Sequence, residues 1–279
     1  MCTHRKEQIR ATMSETTLTA KARTAVSSQL RLLRFALRRR LGASTIRAHT
    51  SWGAALDLEF SDVSTASAIY FGAYEEEEVK KIFKYVKRGM TVLDIGAHIG
   101  YFALLMAHLV GPDGLVFAFE PNPSTYTQLK TNLAINPHLS DGRIKILQSA
   151  LGEDQGVQSF FCPISGYEGL AGLKDTKRAP INQVSKVEVD TLDNFAVTHN
   201  LKRIDFIKMD IEGAEYDVLK GSEKVLNELH PIILFEACEL NTEPYGYRVF
   251  EELQYLEQRR YVVKQAGFGY NFIAIPKNK

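Results

Sequence analysis

The sequence contains few cysteines and no long uninterrupted apolar segment. Cys2, Cys162 and Cys238 are the three cysteines of the 279 residues. Their odd number and wide spacing argue against a disulfide framework, and they form no zinc-ligand pattern. No apolar stretch approaches the ~20 residues that a helix needs to span a bilayer. These absences exclude a disulfide-stapled scaffold, and we expect free thiols in a reducing compartment.

Outside the first fifty residues the chain lacks a net positive charge. The whole chain has a net charge of +1, whereas residues 1–50 hold nine Arg and two Lys against Glu7 and Glu15, a net of +9. Residues 51–279 therefore carry a net charge of −8. An acidic body has no electrostatic reason to bind nucleic acid, so no nucleic-acid partner is expected.

A third absence concerns the glycines that dinucleotide-binding loops need. The loop after the first predicted buried strand has the pattern Asp94-x-Gly96-x-x-x-Gly100. A Gly-x-Gly-x-x-Gly loop beginning at Gly96 would require glycines where His98 and Tyr101 stand, and their side chains would block the approach of a pyrophosphate. The loop therefore argues against a nicotinamide-dependent oxidoreductase, which remains the weaker alternative.

The same loop has features that suit a different nucleoside. Its short glycine bend leaves room for an amino-acid tail, and Asp94 places a carboxylate near a ligand ammonium. Glu120 lies 20 residues after Gly100 and ends the second predicted strand, where a carboxylate can accept two hydrogen bonds from a ribose diol. S-adenosylmethionine has the ammonium and the ribose but no pyrophosphate, so the pattern favours this cofactor.

Apolar strands alternate with helices along most of the chain. The predicted strands cover residues 91–95, 115–119, 143–148, 204–209 and 231–236, and the helices cover residues 76–86, 101–110, 124–134, 214–229 and 247–258. A hairpin of residues 261–265 and 270–275 is expected to close the sheet. Residues 51–75 are predicted to be short strands and turns. Residues 151–190 are predicted to form an antiparallel insertion or a substrate-facing flap. The alternation predicts a doubly wound α/β fold whose sheet is covered on both faces.

A second acidic segment, residues 208–215, ends the strand at 204–209. The C-terminal edge of such sheets carries the chemistry, so Asp210 and Glu212 are the candidate catalytic residues, while Glu215 is expected to stabilise a helix N-terminus. One of the two candidates would act as a general base on a hydroxyl. Alternatively, the acids would hold a divalent cation. The metal-free base is favoured because the sequence shows no further ligand cluster.

These segments resemble the FkbM family of S-adenosylmethionine-dependent methyltransferases. The matching segments are residues 72–75, 92–102, 118–123, 149–152, 189–193, 204–215, 219–221 and 232–236. The resemblance implies a seven-stranded Rossmann-like methyltransferase sheet with a C-terminal antiparallel hairpin and a β insertion after the third strand. It also implies O-methylation of a hydroxyl, often on a sugar or polyketide, so the expected acceptor is a small molecule or a glycan. His98 stands where the family usually has Asn.

The motif and the resemblance together predict a set of cofactor-binding residues. They are Asp94, Gly96, Ala97, Gly100, Glu120, Asn122, Ser149 and Ala150. The adenine is expected beside Gln148, Ser149 and Ala150, after the third strand. A non-catalytic protein that binds S-adenosylmethionine is the remaining alternative function.

Residues 1–50 are predicted to be a basic extension, followed by a methyltransferase domain formed by residues 51–279. Residues 1–27 are expected to be poorly ordered. Residues 28–41 can form an amphipathic helix, with Leu30, Leu33, Leu37 and Leu41 on one face and Arg31, Arg34 and Arg38 on another. Three interpretations stay open: a helix leaning on the domain, an organelle presequence, or a peripheral membrane contact. We expect a cytoplasmic location, with organellar or membrane association through residues 1–45 as the alternative.

Overall fold

The computed structural model describes residues 29–267 and 269–277, so the expected poor order of residues 1–27 lies outside the described part. The strands are β1 (Thr45–His49), β2 (Ala55–Glu59), β3 (Thr91–Ile95), β4 (Leu115–Phe119), β5 (Ile144–Leu147), β6 (Ala150–Leu151), β7 (Gly156–Pro163), β8 (Ile181–Asp190), β9 (Phe206–Met209), β10 (Ile232–Glu236), β11 (Tyr261–Gln265) and β12 (Asn271–Pro276). The helices are α1 (residues 29–40), α2 (Val63–Phe71), α3 (Glu76–Tyr85), α4 (Tyr101–Val110), α5 (Pro123–Ala134), α6 (Pro137–Ser140), α7 (Leu192–Thr198), α8 (Glu215–Lys220), α9 (Glu239–Thr242) and α10 (Val249–Gln258).

Seven strands form the central sheet in the order β11-β12-β10-β9-β3-β4-β5. The run from β10 to β5 is parallel, and β12 pairs antiparallel with both β10 and β11. The predicted doubly wound α/β sheet with a C-terminal hairpin is therefore confirmed. The chain order reverses beside β3, whose neighbours are β4 and β9, and ligands of such sheets bind at this position.

Successive residues of the buried strands point to opposite faces of the sheet, and each face has its own apolar core. Val92 and Leu234 pack into one core together with α4 and the β1–β2 hairpin. Leu93 and Phe235 pack into the other core together with α7, α8 and α10. Both faces are covered, as a parallel sheet requires. None of the helices described is long and apolar enough to cross a membrane.

The folded body begins before the predicted boundary at residue 50. Strands β1 and β2 form an antiparallel hairpin, and Ile46 of β1 is buried in the core. Helix α1 leans on this body through Phe35, whose ring lies 5.1 Å from that of Phe60 and 5.3 Å from those of Tyr70 and Phe71, centroid to centroid. The boundary at residue 50 is wrong because it separates two strands of one hairpin.

Two helical predictions need correction. Part of the segment 51–75 forms helix α2, which begins where the Asp62 carboxylate accepts a hydrogen bond from the Thr65 backbone N–H. The predicted single helix over residues 214–229 is broken, because α8 ends at Lys220 and a π-helical turn follows at Val225–Leu229. A Cβ on Gly221 would lie 2.1 Å from the carbonyl oxygen of Gly152, so the backbones pack closely where the helix breaks and position 221 requires glycine.

The predicted insertion forms a small sheet of its own. Its strands lie in the order β6-β8-β7, with β7 and β8 antiparallel and the short β6 parallel to β8. An apolar cluster that includes Phe160, Leu173 and Val187 packs against Ala214, beside the end of β9. The insertion is thereby fixed against the C-terminal edge of the central sheet.

Candidate functional site

Three strand ends meet at one edge of the sheet and form the floor of a cavity. The register places the last residues of β3, β4 and β9 side by side, so the residues that follow them, Gly96, Glu120 and Asp210, are neighbours. All three line a cavity of about 480 Å³, within the ~300–1,000 Å³ range of small-molecule sites. Helix α2, residues 73–75 and residues 168–173 of the insertion contribute the other walls.

The carboxylate of Glu120 is held by three donors at the end of β4. One oxygen accepts hydrogen bonds from the Asn122 backbone N–H (2.9 Å) and the Thr125 hydroxyl (3.0 Å), and the other accepts one from the His98 backbone N–H (2.8 Å). Burial raises the pKa of Glu120, and the three donors oppose the rise. Since a carboxylate has about four acceptor positions and three are occupied, one remains for a hydroxyl in the cavity.

His98 holds Glu120 with its backbone. Its φ of +49° is left-handed, a conformation in which Asn, Asp and His are enriched among residues other than glycine. The requirement for this backbone conformation explains how His can stand where the resembling family usually has Asn. Its side chain lines the cavity, while its N–H anchors the carboxylate.

The structure places the predicted cofactor residues in two groups. Those that line the cavity are Gly96, Ala97, Glu120, Ser149 and Ala150. The others, together with Gln148, do not reach its wall. Asp94 is fully buried, and Gly100 lies against the Leu129 side chain. Asn122 caps α5 by accepting a hydrogen bond from the Ser124 backbone N–H. The geometry therefore gives Asp94, Gly100 and Asn122 supporting positions beneath and beside the loop.

Gly96 is required by a close approach of two backbones. Its φ is +85°, and a Cβ there would lie 2.0 Å from the carbonyl oxygen of Asp210. The β3 and β9 loops can touch only because position 96 has no side chain. The sequence predicts that Gly96 is needed because a side chain there would be in the way. In the structure, the group that needs this space is the backbone of the loop after β9.

Lys208 is a buried ammonium surrounded by carboxylates. Its Nζ lies 3.0 Å from Oδ2 of Asp210 and 4.6 Å from the centroid of the Phe102 ring. Burial lowers the pKa of Lys208, but the charges of Asp210, Glu75 and Asp94 outweigh it and the net pKa is raised. Lys208 therefore remains a fixed positive charge under the cavity.

Two carboxyl groups beside this lysine are strongly affected by burial. Burial raises the pKa of Asp94 to about 7 and that of Glu75 to about 7, and the charge of Lys208 opposes both rises. Among the described residues, neither Asp94 oxygen has a hydrogen bond of good geometry, although the nearby Ala103 backbone lowers its pKa. A buried carboxylate without a partner calls for an explanation. Asp94 lies just before the glycine loop, where the sequence predicts that a ligand ammonium binds, so such an ammonium would compensate its charge.

Glu212 belongs to a polar network that joins the insertion to the sheet edge. The Arg178 guanidinium donates hydrogen bonds to the Glu212 carboxylate and, at 2.7 Å, to Oδ1 of Asn241. Asn241 in turn donates to Glu236 at 2.9 Å. Burial raises the pKa of Glu212 to about 8, with Asp210 adding to the rise and Arg178 opposing it. Burial likewise raises the pKa of Glu236 to about 7.

Asp210, Glu212 and Glu236 are also close enough to share a cation. In the part of the chain that is described, one carboxylate oxygen from each lies within 4.8 Å of the others, and oxygen ligands of this kind suit Mg²⁺ or Mn²⁺. Two of the acids are already paired, Glu212 with Arg178 and Asp210 with Lys208. Arg178 and Lys208 thus already neutralise much of the negative charge that would attract a metal ion to these acids.

Glu215 has a supporting position, as the sequence predicts. It is the first residue of α8, and its two carboxylate oxygens accept hydrogen bonds from the backbone N–H groups of Ile211 (2.8 Å) and Gly213 (2.9 Å). The loop needs this support because Glu212 within it has a φ of +58°. Glu215 therefore fixes the conformation that presents Asp210 and Glu212.

Four residues at or beside the cavity were absent from the predicted site: Glu75, Lys208 and Glu236 line it, and Arg178 pairs with Glu212. Two had a signal in the sequence, because Lys208 is a charge within an otherwise apolar strand and Glu236 ends a strand as Glu120 does. Arg178 lies in a loop with no periodic pattern, and so does Glu75, although the segment 72–75 is one of those that resemble the family. Only the folded chain brings these two to the site.

Part of this chain is similar to known proteins. The family model of the methyltransferase FkbM domain matches residues 94–263. Methyltransferase sdnD of Sordaria araneosa is 31% identical over 178 residues, which cover 53% of this chain and 66% of that protein. The 2-O-methyltransferase NoeI of Sinorhizobium fredii is 29% identical over 152 residues, covering 50% of this chain and 59% of that protein.

The match spans less than two thirds of the length of either relative. Among solved structures, methyltransferase FkbM from Methylobacillus flagellatus aligns with a TM-score of 0.46 at 14% identity, covering 82% of this chain and 56% of that one.

Proposed function

The chain belongs to the methyltransferase FkbM family, and from this premise we propose that it methylates a hydroxyl oxygen on a small molecule or a glycan. The family depends on S-adenosylmethionine. A relative that is named as a 2-O-methyltransferase supports the choice of oxygen. The observation that carries the proposal is the position of Asp210 on the cavity wall.

The cavity has the groups that the cofactor needs. Glu120 would accept a hydrogen bond from a ribose hydroxyl, and Ser149 and Ala150 would border the adenine. The buried Asp94 would contribute negative charge near the ammonium of the methionine tail. When bound, S-adenosylmethionine supplies a methyl group made electrophilic by its sulfonium.

Asp210 is the proposed general base. Its side chain is 33% exposed, and Lys208 holds Oδ2 at 3.0 Å. Because Lys208 holds one of its oxygens, the carboxylate has a fixed orientation. It takes the proton from the substrate hydroxyl as the hydroxyl oxygen is methylated. Glu212 is less suited to the same role because Arg178 and Asn241 hold it within their network. We assign to it the positioning of the loop around Asp210.

The test is methyl transfer from labelled S-adenosylmethionine to a panel of hydroxylated small molecules, glycans and cell extracts, with mass spectrometry of the labelled product. Asp210→Asn should reduce turnover by about 10²–10⁴-fold, the usual contribution of general base catalysis. Calorimetry with S-adenosylhomocysteine should give an unchanged affinity for the same variant.

Two controls make this test specific. Glu153→Gln changes a carboxylate that pairs with Lys220 on the surface, so it should keep full turnover. A chelator should leave the activity unchanged, since the proposed base needs no metal. Full turnover of Asp210→Asn on the true acceptor, or an activity that a chelator removes and Mg²⁺ restores, would contradict the proposal. Labelled product that carries the methyl on nitrogen or carbon would exclude O-methylation.

A further inference from the structure

Helix α1 exposes an unusual concentration of leucines. Leu30, Leu32, Leu33, Leu37 and Leu41 are exposed by 60%, 56%, 64%, 51% and 75%, respectively. These are five large apolar side chains within twelve consecutive residues. Elsewhere in the described chain the exposed large apolar side chains are spread over separate elements, from Phe71 to Tyr270. A concentrated apolar patch of this kind marks an interaction surface.

A stripe formed by Leu30, Leu33 and Leu37 faces away from the folded body. Phe35 is buried, and its ring packs on those of Phe60, Tyr70 and Phe71. At 100° per residue, Leu30, Leu33 and Leu37 fall about 140–160° around the helix axis from Phe35. One face of α1 therefore fixes the helix to the body while the opposite face presents leucines.

Arginines flank the stripe on both sides. Helix α1 contains Arg31, Arg34, Arg38, Arg39 and Arg40, and residues 29–47 include no acid. Arg31 lies over the Tyr70 ring at 5.2 Å, and the other four are exposed and take part in no ion pair with another described residue. By helical geometry Arg34 and Arg40 lie directly beside the leucines. An apolar stripe bordered by arginines is the pattern of a helix that lies in a lipid interface.

We propose that α1 docks the protein on a membrane surface that contains anionic lipid. The leucines would enter the boundary between headgroups and acyl chains, and the arginines would pair with lipid phosphates and carboxylates. A second copy of the chain is a poorer occupant. Two stripes packed face to face would bring their flanking arginines together, and like charges repel.

Docking through α1 would bring the cavity close to the lipid. Helix α2 supports α1 through Tyr70 and Phe71, and Ser64, Thr65 and Ala68 of the same helix line the cavity. Helices α1 and α2, each about 10 Å across, therefore separate the docked face from the site. The protein would meet acceptors held at the membrane surface.

The experiment is flotation of the full-length chain with vesicles of phosphatidylcholine alone and of phosphatidylcholine mixed with phosphatidylserine. The unmodified chain should bind the mixed vesicles, and added salt should weaken the binding. Leu33→Ser with Leu37→Ser should reduce the partition coefficient roughly tenfold or more, because two apolar side chains no longer enter the interface. The matched control, Val197→Ser with Leu240→Ser, changes two side chains exposed by 70% and 65% and should bind as the unmodified chain does.

Circular dichroism and the thermal shift caused by S-adenosylhomocysteine should be the same in all three proteins, since the changed side chains lie on the surface. The proposal would be overturned if the unmodified chain floated with neither kind of vesicle. It would also be overturned if the Leu33/Leu37 variant floated as well as the unmodified chain does. If analytical ultracentrifugation showed dimers of the unmodified chain and none of this variant, the partner of the leucines would be a second copy of the chain. Cleavage after Leu41 on import into an organelle would assign the leucines to a presequence. Either of these last two results would replace the membrane surface as the partner.

Discussion

At the scale of single residues, the site is organised around Lys208. This buried ammonium is the positive charge that Asp210, Glu75 and Asp94 share. Without it, Asp94 would be a buried acid with no compensating charge, and Asp210 would lose the group that holds Oδ2. Lys208 thus links the stability of the sheet edge to the orientation of the proposed base.

Lys208→Met should lower the free energy of unfolding at pH 8 by about 3–5 kcal/mol, because removing one partner leaves buried charges uncompensated. The loss should be smaller at pH 5, where Asp94 and Glu75, each with a pKa of about 7, are already protonated in the folded chain. Urea unfolding at both pH values measures the effect. The control is Lys220→Met, which removes a partly exposed lysine paired with Glu153 and Asp217 and should cost less than about 1 kcal/mol. Equal losses for the two variants would show that Lys208 has no special role.

Glu120 is the residue on which cofactor affinity should depend. Glu120→Ala should weaken S-adenosylhomocysteine binding by about 1.5–3 kcal/mol, the contribution of hydrogen bonds to a charged group. Isothermal titration calorimetry measures it, and circular dichroism checks that the fold survives the loss of the contacts with His98 and Thr125. An unchanged affinity in a folded variant would remove Glu120 from the cofactor site.

At the scale of elements, the contact between the β3 and β9 loops determines whether the site forms. Gly96→Ala should abolish cofactor binding, because its Cβ would lie 2.0 Å from the Asp210 carbonyl oxygen and would force the loops apart. Gly89→Ala is the matched control, since Gly89 also has a positive φ, +74°, but has nothing within 4 Å of its Cβ position. Both variants carry the same backbone strain, and only the first carries the clash. Thermal shift with S-adenosylhomocysteine distinguishes them, and normal binding by Gly96→Ala would contradict the close approach.

Part of the cavity wall could be predicted because its signals are local. Apolar strands end in Asp94, Glu120 and Asp210, and parallel pairing necessarily brings such ends to one edge. The central sheet follows from the same alternation, and its hairpin was predicted from two short apolar runs. The resemblance to the family gave the number of strands.

The rest depended on contacts between distant segments. Arg178 meets Glu212 across 34 positions of sequence, and no periodicity in the insertion points to it. The break after α8 coincides with the close packing of Gly221 on Gly152, whereas the local pattern favours one continuous helix. Likewise, the contact of Phe35 with Tyr70 joins α1 to the body, so the basic N-terminal segment cannot be separated cleanly at residue 50.

At the scale of the whole molecule, several buried acids should make stability depend on pH. Burial raises the pKa of Asp94, Glu75 and Glu236 to about 7 and that of Glu212 to about 8, against roughly 4 in an unfolded chain. Between these limits the folded state binds more protons than the unfolded state, so the free energy of unfolding should fall as pH rises from 5 to 8. Each group contributes at most about 1.4 kcal/mol per pH unit.

Chemical unfolding of the cofactor-free chain across this range measures the slope. Glu212→Gln should flatten the curve, most clearly between pH 7 and 8, because it removes the acid with the highest of these values. A free energy of unfolding that rises from pH 5 to 8 would show that these acids are ionised in the folded chain.

The insertion between β5 and α7 has a consequence for how such enzymes diversify. Residues 168–173 form one wall of the cavity, whereas the residues proposed to hold the ribose and the adenine, Glu120, Ser149 and Ala150, lie just after β4 and β5. Recombination that exchanged the insertion could therefore change the choice of acceptor while the cofactor site is inherited intact. Such an exchange carries one constraint. Arg178 must arrive with the new segment or Glu212 must change with it, because an incoming insertion without the arginine would leave a buried acid unpaired.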